Sequence, residues 1–265
     1  MNLLIIGKLQ KNLLQAICTS NRLDKLYTAA LEPLEDIPNI EFETFEELAE
    51  KSKALKIDIA ITTDKELIHA GIVDVLRKQR VNIFAVNKKW FNLESSRLVA
   101  KQLAGYYSIN IPEVIKAPLC FPIIIKTDKP KGNYIAKSMQ DLVEKMETLE
   151  GEKTFLEEFL EGEIYDLTSL WDGKNLFSFP IKNLTEVQQD RLELFKTKLN
   201  FMLSDEKADF IGFFTSHLIW AKNDWYLLEF KMRLDKNAQI ETKLDFLYLL
   251  DSAIYQKLNE INTTD

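Results

Sequence analysis

Residues 225–235 read WYLLEFKMRLD, and three of them carry groups that do chemistry. Glu229, Lys231 and Arg233 are spaced two apart, so on a β-strand an acid, an amine and a guanidinium project from one face. The carboxylate alone would suit a metal ion. An ammonium two residues on repels one and, while protonated, has no lone pair to offer it. A second set lies earlier. Lys126 ends an apolar strand and Lys131-Gly132 sits in the turn that follows, where ammonium groups meet phosphate oxygens as compact point charges. The stretch FLEEFLEGE, residues 155–163, presents Glu157 and Glu158 and then Phe159 and Leu160. Such a segment offers backbone amide edges and an apolar wall to a nucleotide base. Taken singly, each feature is also what a solvated strand end looks like.

The elements that would position these residues follow from apolar periodicity. Strands are predicted over 2–6, 25–29, 57–61 and 81–86, with helices over 9–17, 43–55 and 65–79 between them. That alternation predicts a parallel sheet with helices on its faces. A long helix is expected over 88–107, with Pro112 closing the connection after it. The texture then changes. Strands are predicted over 122–127, 132–136 and 154–159 around a helix over 138–149. A hairpin joins 163–171 to 175–180 through Asp172-Gly173, a helix covers 185–200, a second hairpin joins 210–220 to 225–231 through Asn223-Asp224, and a helix covers 241–260. The fold class is therefore a Rossmann-like α/β parallel-sheet domain over 1–92 followed by an α+β domain over 93–265, with a small lid subdomain at about 113–160. No repeat, low-complexity tract or flexible linker separates them.

Bulk properties narrow the partners. The chain has 265 residues and a net charge of −7, which argues against a general nucleic-acid surface. It has no apolar run long enough for a membrane span, and MNLLIIGKLQ reads as a first buried strand rather than a signal peptide. A cytoplasmic protein is expected. Cys18 and Cys120 are far apart, show no metal-ligand spacing, and are expected to be inert buried or partly buried thiols. His69 and His217 fit neither a zinc site nor the base of a nucleophile, so a histidine-dependent mechanism is not expected. Gly7 follows the first strand, but Lys8, Leu9, Gln10 and Lys11 replace the further glycines of a phosphate-binding loop. It reads as easing a tight turn.

The order of these pieces, and above all AGIVDVLRKQRVNIFAVNKKWFNLESSRLVAKQLAGYYSINIPE at 70–113, resembles the phosphoribosylamine–glycine ligase (glycinamide ribonucleotide synthetase) family of the ATP-grasp superfamily. The likeness continues more thinly through 122–136, 154–163 and 210–239. It implies a pre-ATP-grasp domain, then an ATP-grasp domain, with the family's C-terminal domain absent. It also implies roles. Lys101 and Lys126 match the family's ATP lysines, and Lys131-Gly132 the pair closing its glycine-rich loop. Glu157, Glu158, Phe159 and Leu160 match the adenine hinge and Glu163 the acid near the ribose. Glu229 matches a magnesium-binding glutamate and Arg233 an arginine of the same motif, with Asp235 and Gln239 as remnants of the rest.

Departures from the family pattern matter as much. Lys231 stands where the family has an asparagine that ligates magnesium. The loop between Lys126 and Lys131 reads Thr-Asp-Lys-Pro in place of glycines and alanines, and proline lacks an amide donor. The substrate loop that follows Pro180 in the family is reduced. The sequence therefore supports a divergent ATP-grasp protein that binds ATP or a related nucleotide, with ligase activity lost or altered. Lys231 would supply positive charge in place of the metal, and Lys231 and Arg233 are the candidate catalytic residues. Two alternatives stay open. One is an active ADP-forming carboxylate–amine ligase on another small substrate, with Asp128, Asp235 or Glu241 as substitute ligands for magnesium. The other is a ligand-free interaction protein in which Glu229 and Lys231 form an internal ion pair.

Overall fold

The computed structural model describes residues 1–8, 11–33, 36–118, 120–129, 132–235 and 244–261. β1 (Asn2–Ile6) is buried from Leu3 to Ile6, as a continuous apolar run should be when helices cover both faces of its sheet. It is followed by α1 (Lys11–Cys18), β2 (Lys25–Ala29), α2 (Phe45–Ala54), β3 (Ile59–Thr62), α3 (Lys65–Ala70), α4 (Ile72–Lys78) and β4 (Ile83–Phe84). The strands pair in parallel in the order β2-β1-β3-β4. This is the expected α/β sheet.

Two expected helices are each divided. Gly71, at φ 94°, ends α3 and begins α4, in a left-handed conformation that glycine adopts without a Cβ clash. α5 (Lys88–Ser95) and α6 (Arg97–Tyr106) replace the single helix expected over 88–107. Between them Ser96 is extended, and its hydroxyl accepts from the Val99 amide, capping α6. Asp128 braces the same end, accepting from the Ser96 hydroxyl at 2.7 Å and the Leu98 amide at 3.0 Å. The break re-aims α6 so that Arg97 and Lys101, one turn apart, are buried together on one face.

A smaller antiparallel sheet follows. β5 (Val114–Ile115), β6 (Ile123–Thr127), β7 (Asn133–Ala136) and β8 (Thr154–Glu158) lie in the order β5-β8-β6-β7, with α7 (Met139–Thr148) packed on them. This lid has its own core, built on Ile123, Ile125, Ala136 and Leu142. The third sheet holds β9 (Glu163–Trp171), β10 (Leu176–Ser178), β11 (Gly212–Ala221) and β12 (Asp224–Lys231), antiparallel in the order β10-β9-β11-β12. α8 (Glu186–Asp205) separates β10 from β11, and α9 (Phe246–Ile254) comes last. α9 is shorter than the helix expected over 241–260, whose first three residues lie outside the described ones. The β11–β12 turn is formed by Lys222 and Asn223 at φ 51° and 60°, one residue earlier than expected.

One face of the third sheet, with Leu167, Phe214, Leu218 and Phe230, joins Leu4, Ile6 and Ala60 of the first sheet in one continuous core. A bridge between Ala85 and Ile211 reinforces the union, and a Cβ on Gly212 would come within 2.8 Å of the Ala85 backbone. Both cysteines are free but exposed, contrary to expectation. Leu13 and Ile17 take the buried face of α1, so Cys18 is left on its outer side. Among the described residues no helix is long and apolar enough to cross a membrane.

Candidate functional site

The lid and the third sheet meet at a cleft, and the charged residues singled out in the sequence gather there in two groups. In the first, Lys101 on α6 and Lys126 on β6 converge on Glu157 of β8. Lys101 Nζ lies 2.5 Å from Oε1 and Lys126 Nζ 2.8 Å from Oε2. All three side chains are buried. Lys126 also donates to the Leu228 carbonyl at 3.4 Å. Lys101 Nζ makes no hydrogen bond of good geometry among the described residues, so its only partner is the Glu157 charge. Burial pushes its pKa down to about 8, the nearby Lys126 and Arg97 charges act in the same direction, and Glu157 opposes them. Glu157 thus points its side chain inward, onto the two lysines.

The second group surrounds Glu229. Arg97 donates to Oε2 through Nε at 3.1 Å and Nη2 at 3.0 Å, and Lys231 Nζ sits 2.9 Å from Oε1. Burial alone would raise the Glu229 pKa, but the hydrogen bond and charge of Lys231, with Arg97, outweigh it and hold the carboxyl at about 2. The expected shared face is correct for Glu229 and Lys231. β12 ends at Lys231, however, and Arg233 turns from the following bend to Glu94 of α5, with Nε 3.1 Å from Oε1. Glu94 also accepts from the Met232 amide at 2.8 Å.

The remaining expected residues divide. Leu160 is buried against Ile219 and Ala221, with Tyr226 and Leu228 beside it, as an apolar wall. Phe159 is exposed. Glu158 turns outward to Lys222 and the Glu113 amide, and its own amide donates to the Glu113 carbonyl at 3.0 Å. That amide edge is spent within the lid sheet. Glu163 accepts from the Tyr165 hydroxyl at the exposed start of β9. The Gly132 carbonyl accepts from Arg97 Nη1 at 3.0 Å. Lys131, Gln239 and Glu241 lie outside the described residues. Asp128, weighed as a substitute metal ligand, is taken up in capping α6.

Magnesium does not fit at Glu229. Both carboxylate oxygens face cations, whereas magnesium needs oxygen ligands around it. No group of three or more His, Cys, Asp or Glu that could hold a metal occurs among the described residues. A phosphate chain fits the charges better. Among the described residues Arg97, Lys101, Lys126, Lys231 and Arg233 pair with Glu94, Glu157 and Glu229, five cations on three acids, in a chain of net charge −7. As placed, the cavity between α6 and β12 is only about 10 Å³.

Reading from sequence missed four participants. Arg97 was legible as the residue one helical turn before Lys101. Glu94 had no signal. His217 and Asp166 form a pair on β11 and β9, with His217 Nδ1 on Asp166 Oδ1, and cross-strand pairing sets His217 beside Glu229. The Asp166 hydrogen bond and charge raise the His217 pKa despite burial, which acts to lower it.

The fold is that of solved ATP-grasp ligases. No family model matches the chain. Homologues spanning most of its length are phosphoribosylamine–glycine ligases. That of Fusobacterium nucleatum is 25% identical and aligns with 92% of this chain, which spans 71% of that relative. Among solved structures, phosphoribosylamine–glycine ligase from Thermotoga maritima superposes with a TM-score of 0.70 at 20% identity, covering 89% of this chain and 70% of its own. An ADP complex of N5-carboxyaminoimidazole ribonucleotide synthetase superposes with a TM-score of 0.70 at 13% identity, covering 96% and 77%.

Proposed function

We propose that this chain binds ATP or a related nucleotide in the cleft between the lid and the third sheet, without the magnesium chemistry of an ordinary carboxylate–amine ligase. Lys101 and Lys126 would receive phosphate oxygens, Leu160 and its apolar neighbours would wall the base, and Arg97 with Lys231 would supply charge where a metal would stand. One observation carries this reading: two buried ammonium groups, Lys101 and Lys126, share the single carboxylate of Glu157. Two buried ammonium groups on one carboxylate favour a further anionic partner. The ADP-bound structural neighbour supports the choice of ligand.

Calorimetry with ATP and ADP, in magnesium and in chelator, tests the reading. Saturable binding of similar strength in both is expected, and its absence in both overturns the proposal. Steady release of ADP with a small carboxylate and an amine would show instead that ligation survives on another substrate. A second reading, a ligand-free interaction protein, is favoured by the cavity of about 10 Å³ and by the Glu229–Lys231 ion pair. It predicts no nucleotide binding and no protection of the lid from hydrogen exchange. A cytoplasmic location and a small-molecule or protein partner belong to these readings as proposals.

A further inference from the structure

The face of the third sheet opposite the main core changes character along its strands. At one end Leu170 and Phe213 pack against Phe246 of α9. At the other, Ile219 and Tyr226 pack with Leu160. Between these apolar ends lies a polar strip three strands wide. Asp166 pairs with His217 and His217 with Glu229; one step along, Thr168 pairs with Thr215 and Thr215 with Lys231. Directly paired residues of adjacent antiparallel strands hold their Cβ atoms about 5 Å apart, so the six side chains form a contiguous patch.

A register shift between His217 and Leu218 creates this patch. Leu228 is the extra residue on β12, opposite no residue of β11, and it shifts the alternation so that Glu229 comes level with His217. The histidine is held through Nδ1 by Asp166, which leaves Nε2 as the ring nitrogen available to a ligand. Its side chain is 20% exposed, that of Lys231 19% and that of Asp166 35%, so the strip is reachable. Thr215 is fully buried between its cross-strand partners, and its hydroxyl has no hydrogen-bond partner among the described residues. With His217 protonated, three cations (His217, Lys231 and Arg97) face two acids, Asp166 and Glu229.

We propose that this strip is a binding subsite for an oxyanion, a carboxylate or phosphate group of a small molecule, held by His217 Nε2–H, the free hydrogens of Lys231 and the Thr215 hydroxyl. It extends from Lys231 on the strand of Glu229 to Thr215 and His217 on the neighbouring strand, and so adjoins the proposed nucleotide cleft, sharing Lys231 with it but neither Lys101 nor Lys126. The acids facing His217 are Asp166 from β9 and Glu229 from β12. The cations nearest it are Lys231 on β12 and Arg97 on α6, the latter through Glu229. An anion bound there favours the protonated imidazole, and by linkage its binding weakens as pH rises through the His217 pKa.

The chain has only two histidines, so each imidazole can be followed separately by NMR in the intact, histidine-labelled protein. Inorganic phosphate and acetate are the two probes, titrated separately near pH 7. The expected result is a saturable shift of the His217 resonances with a higher apparent pKa, while His69 on α3 does not move. Response to phosphate alone assigns a phosphate group, and response to acetate a carboxylate. Thr215→Val, which keeps the volume and removes the hydroxyl, should weaken the responding anion about tenfold, the loss of one hydrogen bond to a charged group. In Lys101→Met/Lys126→Met/Glu157→Leu, which removes the buried ionic cluster whole, the response should persist. If it disappears there, the anion sits on the lysines and the subsite is overturned, although the nucleotide reading would stand. If neither anion moves His217 in the wild-type protein, the subsite is overturned whatever nucleotides do.

Discussion

Two charge clusters share one cleft and solve the same problem differently. At Glu157, a single fully buried carboxylate serves two fully buried lysines. At Glu229, the carboxylate, Lys231 and the neighbouring Asp166–His217 pair keep partial contact with solvent. The first cluster cannot lose a member cheaply, because an orphaned charge would remain in a low-dielectric interior. The second is screened by water and can exchange partners. A buried cluster is therefore a structural commitment, whereas an accessible one is available for ligands.

The largest effect should come from Glu157→Ala, which strands two buried ammonium groups. Urea unfolding is expected to show a loss of about 3–5 kcal/mol, against a much smaller loss for Lys231→Ala; equal losses would erase the contrast between the clusters. Next is the acid limb. Glu229 is held at about 2 against an ordinary 4.5, so its contribution is present above the ordinary value and is lost as pH falls from there towards 2. In Lys231→Met that loss should be smaller and complete at a higher pH, measured by acid titration of the unfolding midpoint. The alkaline limb should have the same sign. Lys101 releases its proton near 8 when folded but near 10.5 when unfolded, so the unfolded chain holds more protons in between and stability rises with pH there. Nucleotide binding should fall over the same window, which separates the lysine's two roles. The smallest stability change is expected for the triple replacement Lys101→Met/Lys126→Met/Glu157→Leu. Exchanging a whole buried ionic cluster for apolar groups is close to neutral, yet nucleotide binding should vanish.

Local signals carried much of the architecture and only part of the site. The parallel sheet followed from continuous apolar strands such as Leu3 to Ile6, and the lid from strands around a short helix. Glu229 and Lys231 share a face because a strand alternates with a period of two, which is readable from spacing alone. The helix breaks at Gly71 and Ser96 were missed because apolar periodicity runs through both, and the deciding interaction at Ser96 comes from Asp128, distant in sequence. Long-range pairing hid the rest. Glu157 reaches the lysines because β8 lies beside β6 with Glu157 opposite Ile124. Asp166 meets His217 because β9 and β11 are neighbours despite the intervening helix. Sequence spacing encodes neither adjacency.

The shared core between the first and third sheets has a mechanical consequence. It sets the small antiparallel sheet, with its separate core, apart from the other two, and α6 packs with the body through Ala100 and Ala104. Many of the ties across that joint are polar, among them Lys101 to Glu157, Lys126 to the Leu228 carbonyl, and Arg97 to the carbonyls of Thr127 and Gly132, while Leu160 packs on Ile219 and Ala221 as an apolar one. The joint is therefore largely an electrostatic latch. A polyanion that drew the lysines from Glu157 would release the lid by competing for the same charges that hold it shut, so ligand entry and opening would be a single event.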